Sequence, residues 1–215
     1  MFKLTSNAGI YFKNEDTSFF LDVLYSKSVH PFDKPGKEVL EYIFDTRVDY
    51  VMFTHNHPDH FDRSLVLQYL SKYPDAVYIP PLFSKMDTGK TMEVIIKGGT
   101  SIHPFVTQHT RMPRNRNCCY LVESKKRSYL FTGDANDNID DFRVQHKVDY
   151  LFINPIFASS DRSREIITEI LKPEHIFIYH MPEHNDSYRE LLDKAMYLLS
   201  DYPLTIMKSE LLPYE

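Results

Sequence analysis

The word His55-Asn56-His57-Pro58-Asp59-His60 constrains this chain more than any other stretch. Three imidazoles and a carboxylate fall within six residues, directly after an apolar run, Val48–Thr54, that reads as a buried strand. A histidine pair at i and i+2 on an extended turn can aim two rings at one point. The Asp and His that follow can reach a second point a few ångströms away, which is the layout for holding two metal ions side by side. Imidazole with carboxylate suits zinc, iron or manganese rather than calcium. The alternative is a polar loop that happens to be rich in histidine. With ten histidines in 215 residues, the word arises by chance in roughly one such chain in five hundred.

HxHxDH at the end of an apolar strand resembles the metallo-β-lactamase superfamily, and the rest of the chain carries that resemblance further. His109, Asp134 and His180 are metal-binding types, each at the C-terminal end of a predicted strand. In the superfamily a third histidine, an Asp within a Gly-Asp pair and a final histidine follow in that order, as do His109, Gly133-Asp134 and His180 here. The words Thr107-Gln108-His109-Thr110, Leu130-Phe131-Thr132-Gly133-Asp134 and Ile178-Tyr179-His180 look most like the branch that holds ascorbate-6-phosphate lactonase.

The resemblance implies a four-layer αββα sandwich, where periodicity alone gives only α/β or α+β. It also implies a ligand set: His55, His57 and His109 on one ion, Asp59, His60 and His180 on the second, and Asp134 bridging. His184 is the rival for the last place, but it follows Pro182 and lies away from a strand end. Two divalent ions, zinc before manganese or iron, would share a hydroxide that attacks an ester, lactone or phosphodiester, with Asp59 orienting the water or taking its proton. Arg111, Arg114 and Arg116 follow His109 closely and could bind an anionic small molecule through forked hydrogen bonds; the competing reading is a solvated loop. The alternatives on the same fold are a mononuclear-iron thiol dioxygenase and a nuclease.

The remaining features bound these expectations. The length fits a single domain over residues 1–215, with no internal repeat evident at a fixed period and no linker-like shift in composition. A net charge of −5 argues against a general nucleic-acid binder. No apolar run reaches a membrane span and the first residues lack a leader pattern, so a cytoplasmic location is expected. A homo-oligomer is compatible with the sequence. Cys118 and Cys119 are adjacent, where mutual bridging is strained, and read as reduced residues packed in a strand. Asp22, ending Phe19-Phe20-Leu21, reads either as a carboxylate orienting a metal ligand or as a turn cap. His30 lies in a proline-flanked loop and reads as a candidate pocket-wall residue beside the plainer reading of a loop histidine, while His103, His146 and His175 are assigned no role.

The chain predicts strands at 2–6, 9–13, 18–24, 48–54, 76–79, 100–107, 118–123, 128–132, 150–154, 176–179 and 204–207. Helices are expected at 36–44, 63–73, 139–145 and 163–171, with a last one opened by a capping box at Ser187-Tyr188-Arg189-Glu190. The stretches 80–99, apart from a weak strand at 93–96, and 110–117 are expected to be loops.

Overall fold

A computed structural model describes residues 1–81, 93–143, 147–182, 185–208 and 210–214. The polypeptide divides into two compact units, Met1–Leu82 with Lys208–Glu215, and Phe83–Met207.

The first unit opens as an antiparallel meander of β1 (Phe2–Ser6), β2 (Gly9–Lys13) and β3 (Ser18–Leu21). It continues through α1 (Lys37–Asp45), β4 (Tyr50–Met52), α2 (Arg63–Lys72) and β5 (Val77–Ile79). The sheet order is β13-β1-β2-β3-β4-β5, where β13 is the short strand Pro213–Tyr214 that the sequence pattern did not reveal. β3, β4 and β5 run parallel. Alternation along β3 and β4 sends Phe20 and Val51 toward Val39 and Ile43 of α1 and Val66 and Tyr69 of α2. Phe19 and Met52, pointing the other way, are also fully buried. Burial on both faces explains the near-continuous apolar runs of these strands.

The second unit is a sheet in the order β12-β11-β10-β9-β8-β7-β6. Its elements are β6 (Ile95–Lys97), β7 (Thr100–His109), β8 (Met112–Glu123), β9 (Ser128–Phe131) and a 3-10 turn at Ile139–Phe142. β10 (Tyr150–Ile153), α3 (Pro155–Ala158) and α4 (Asp161–Glu165) follow, α4 winding on as a π-type turn over Ile166–Leu171. β11 (His175–Ile178), α5 (Asp186–Leu198) and β12 (Leu204–Ile206) complete it. Leu151, Ile153, Ile176 and Ile178 pack with Phe157 of α3 and Leu192 of α5. On the opposite face Phe131, Phe152 and Phe177 stack across three strands, with centroids 4.4 and 4.9 Å apart.

Three expectations need correction. The loop expected at 110–117 is the start of β8, which pairs with β7 from Ser101↔Glu123 to His109↔Met112. A register shift between Gln108 and His109 and the left-handed Arg111 (φ 59°) turn the chain tightly there. The final helix is capped by Asn185, whose side chain accepts from Tyr188 N, two residues before the expected box at Ser187. The helix expected at 139–145 is a 3-10 turn ending at Phe142, and its last residues, with His146, lie outside the described residues.

The structure also reveals a repeat. Arg47-Val48-Asp49-Tyr50 and Lys147-Val148-Asp149-Tyr150 precede β4 and β10. In each, the aspartate Oδ2 accepts from the backbone N (2.8 Å) and Oγ (3.1 Å) of a serine opening the neighbouring parallel strand, Ser18 or Ser128. In each, the basic residue pairs with an acid just before the next strand, Arg47 with Asp75 at 3.4 Å and Lys147 with Glu174 at 2.7 Å. The same staple therefore fixes the register of three parallel strands in both units. Register at this end decides which residues emerge at the opposite, C-terminal ends of the strands.

Candidate metal centre

The ends of β3 and β4 position the ligand-type residues of the first unit. Asp22 follows β3 in the left-handed region (φ 55°), a conformation costly for a residue with a side chain. Its backbone N donates to Met52 O at 3.1 Å, and Oδ1 accepts from Thr54 N at 2.8 Å, so the carboxylate lies against the end of β4. Oδ2 receives Thr54 Oγ1–H at 2.6 Å and faces His60 Nδ1 at 3.0 Å. Thr54 has given its single hydrogen to Asp22, so toward His55 Nδ1, 2.8 Å away, its oxygen accepts. His55 and His60 thus both carry hydrogen on Nδ1, which leaves Nε2 as the lone-pair atom of each. This is the tautomer a metal takes.

The turn after His57 brings the remaining ligands round. His57 O accepts from His60 N at 3.0 Å and Phe61 N at 2.9 Å, winding Pro58-Asp59-His60 into a single turn. Asp62 then caps α2 through Ser64 N (2.7 Å) and Leu65 N (3.4 Å) and bonds Ser26 Oγ. The rings of His55 and His57 stand at 89° with centroids 4.5 Å apart, and those of His55 and His60 are 4.0 Å apart. Asp59 Oδ2 lies 3.8 Å from His60 Nε2. His55, Asp59 and His60 are buried, while His57 is half-buried. Burial pushes the Tyr25 phenol up, the Ser6 hydrogen bond partly offsets this, and the nearby Asp59 carboxylate adds to the rise.

The second unit positions its own ligand-type residues at the ends of β7, β9 and β11. His109 Nδ1 bonds Thr110 O. A carbonyl only accepts, so His109 also presents a lone pair on Nε2. The ends of β7 and β9 are tied directly by Thr110 N→Asp134 O (2.8 Å) and Asn136 N→Gln108 O (2.9 Å). Asp134 N donates to the fully buried Asn117 Oδ1 at 3.0 Å. Its carboxylate stands between two imidazoles: Oδ2 lies 3.4 Å from His109 Nε2 and Oδ1 lies 3.4 Å from His180 Nε2. That spacing is long for a hydrogen bond. It matches two ligands on one tetrahedral ion, where donors about 2.0–2.1 Å from the metal sit roughly 3.3 Å from each other. The donor set in each unit therefore fits a divalent metal. His180 is itself left-handed (φ 61°) and buried at the end of β11.

The seven ligand-type residues follow or end strands: His55, His57, Asp59 and His60 come after β4 in the first unit, and His109, Asp134 and His180 end or follow β7, β9 and β11 in the second. His184 lies outside the described residues. Arg111 and Arg114 are exposed and Arg116, opposite Gln108, is half-buried on β8. His30 is exposed. Cys118 and Cys119 are buried in β8 as expected, and burial pushes the Cys119 thiol well up, away from nucleophilic or ligand chemistry. Sequence reasoning missed Thr54, Asn117 and Asn154, which touch the ligands without being ligand types; the only signal was Thr54 standing directly before His55.

The profile of the beta-lactamase superfamily domain matches residues 16–183, and the chain belongs to that family. A UPF0173 protein of Pyrococcus furiosus is 27% identical over 181 residues, covering 79% of this chain and 82% of its own. The fold is that of the metallo-beta-lactamase fold protein YhfI from Bacillus subtilis (TM-score 0.63, 16% identity, covering 95% of this chain and 90% of that one). It is shared with Igni18, a metallo hydrolase from Ignicoccus hospitalis (TM-score 0.56, 10% identity, covering 100% and 98%). Among the described residues no helix is long and apolar enough to cross a membrane.

Proposed function

We propose that the chain is a metal-dependent hydrolase with a two-ion centre, acting on an ester, lactone or phosphodiester of a small anionic molecule. The observation that carries this reading is the Asp134 carboxylate, each of whose oxygens faces a different histidine Nε2 at 3.4 Å. A carboxylate can give one oxygen to each of two ions. His55, His57 and His109 would hold one ion, Asp59, His60 and His180 the other, and Asp134 would bridge. Zinc is the first choice, since imidazole with carboxylate and Nδ1-protonated histidines suits it, with manganese or iron as alternatives. Bound divalent ions would lower the pKa of a water and polarise the substrate oxygen.

The chain's own residues do the rest. Asp22 and Thr54 hold His55 and His60 in the ligating tautomer, so no imidazole must rearrange when a metal enters. Asp59 orients the attacking water and accepts its proton. The Arg111, Arg114 and Arg116 guanidiniums draw in the anionic group of the substrate. The likeness of the site words to lactonase-type hydrolases favours a small phosphorylated or carboxylated molecule.

The test is elemental analysis of the purified protein and of His57→Ala. Near two zinc or manganese ions per chain, falling on mutation, supports the reading. A single iron with oxygen uptake would transfer the assignment to a thiol dioxygenase, and no uptake of added metal would overturn the centre altogether.

A further inference from the structure

Asn154 follows β10 and is 2% exposed. Its amide orientation is fixed by its neighbours. Phe157 N–H can only donate and lies 2.9 Å from Oδ1, while Gly133 O can only accept and lies 2.9 Å from Nδ2. Held this way, the same Nδ2 donates to Asp134 Oδ1 at 3.3 Å. Oδ1 is the oxygen that faces His180; Oδ2, which faces His109, has no part in this bond.

The repeated staple gives this contact an independent meaning. Asn154 stands five residues after Asp149, as Thr54 stands five after Asp49. Thr54 grips the carboxylate of Asp22, which orients two histidines. In the second unit the equivalent position grips a carboxylate of ligand type itself.

We propose that Asn154 is a positioning residue that holds Asp134 Oδ1 on the His180 side and so sets the affinity of one metal position while leaving the other nearly unchanged. The inference rests on the two-ion reading above. The backbone of Asp134 is held separately, N on Asn117 Oδ1 at 3.0 Å and O on Thr110 N at 2.8 Å. Loss of the Asn154 amide removes a hydrogen bond from Oδ1 and another from the Gly133 carbonyl just before Asp134, and Oδ2 is not bonded by that amide. With Oδ1 less firmly placed, the His180 side would hold a metal ion more weakly.

The experiment is a zinc titration of the metal-free protein against a chromophoric chelator, with His180→Ala identifying which binding step belongs to the His180 side. Asn154→Ser keeps an oxygen for the Phe157 cap and deletes the amide donor. The step lost in His180→Ala should weaken about 10–100-fold in Asn154→Ser, with the other step within about threefold, and the metal-free melting temperature should fall by only a few degrees because the Gly133 carbonyl also loses its donor. Asn154→Thr, which also caps, should repeat the pattern and serves if the serine variant does not fold. Equal weakening of both steps, no change in either, or failure of both variants to fold would overturn the inference while leaving two ions in the wild type. A wild type that takes up fewer than two zinc ions overturns the two-ion reading and this inference together.

Discussion

Asp22 Oδ2 lies 3.0 Å from His60 Nδ1 and 2.6 Å from Thr54 Oγ1, which in turn lies 2.8 Å from His55 Nδ1. One buried carboxylate therefore sets the tautomer of two imidazoles that the two-ion reading assigns to different ions. Asp22→Asn keeps the shape but accepts at only one terminal atom, so its amide NH2 must face either Thr54 N–H or the Thr54 Oγ1 and His60 Nδ1 donors. Metal affinity should fall about 10–100-fold, measured by chelator competition. Nitrogen shifts of the metal-free protein should show His60 gaining Nε2–H character. Wild-type affinity and unchanged histidine shifts would sink this role.

His175 opens β11, where its ring stacks on Phe177 (4.5 Å, 28°) and its Nε2 meets Thr205 Oγ1 at 2.8 Å. Burial lowers its pKa below the ordinary 6.5. The folded state disfavours the protonated ring, so its stabilising share is present above 6.5 and is lost as pH falls through the lowered value. His175→Phe keeps a ring in the stack and removes the titration. Urea midpoints of the wild type should drop across that window while those of the variant drop less. Parallel curves would count against the assignment.

The Asp149 staple makes a second, more acidic prediction. Burial raises its carboxyl, but hydrogen bonds from Lys147 and from Ser128 N and Oγ outweigh that and hold it below its ordinary 3.8. Its contribution is therefore complete above that value and disappears as pH falls through the lowered one. Asp149→Asn should cost about 1–3 kcal/mol at neutral pH, because Ser128 loses a charged acceptor. It should also flatten the acid limb of the stability curve. Chemical denaturation at a series of pH values reads both effects.

Gly9 opens β2 beneath the β3–β4 corner. A Cβ there would collide with Thr5 Oγ1 and come within 3.2 Å of the carbonyl oxygens of Ser6 and Asp22. Backbone oxygens cannot step aside as a side chain can. Gly9→Ala should therefore destabilise by about 1–3 kcal/mol, and because Asp22 is one of the atoms displaced, the loss should come with weaker metal uptake. A purely thermal effect with unchanged uptake would show that the Asp22 corner is more compliant than this.

The parts of this architecture legible in the sequence are those that depend on residue type at a strand end. His55–His60, His109, Asp134 and His180 could be placed at strand ends because buried strands leave apolar runs before them. The pairing of Met112–Asn117 with β7 was not legible: Arg114, Asn115, Arg116 and Asn117 show no apolar alternation, and their strand exists through non-local partners and a bulge. Asn117 looked like a loop residue because its fully buried state depends on Thr107, Thr132 and Asp134 arriving around it. The cap of α5 was misplaced because Asn185, Asp186 and Ser187 are all competent caps in succession. The staple escaped notice because it occurs twice, too few times to set a period, and its sameness lies in hydrogen bonds more than in letters.

The Arg111–Arg116 hairpin yields the last prediction. A loop would have let three arginines swing freely, whereas a strand fixes where each emerges. Arg111 sits in the tight turn with φ 59°, Arg114 is exposed, and Arg116 is half-buried opposite Gln108, next to His109 in sequence. Arg116 is the most constrained of the three, so it would lose the least freedom on binding an anion. If the proposed substrate class is right, Arg116→Gln should raise KM for a phosphorylated or carboxylated substrate by about tenfold, the value of one charge-assisted hydrogen bond of roughly 1.5 kcal/mol. The exposed Arg111→Gln and Arg114→Gln should cost less, and their effect should fade with added salt as screening removes it. An uncharged ester should show none of these changes. Equal KM values for charged and uncharged substrates in all three variants would mean that the hairpin arginines only solvate the surface and that anion recognition, if present, lies elsewhere.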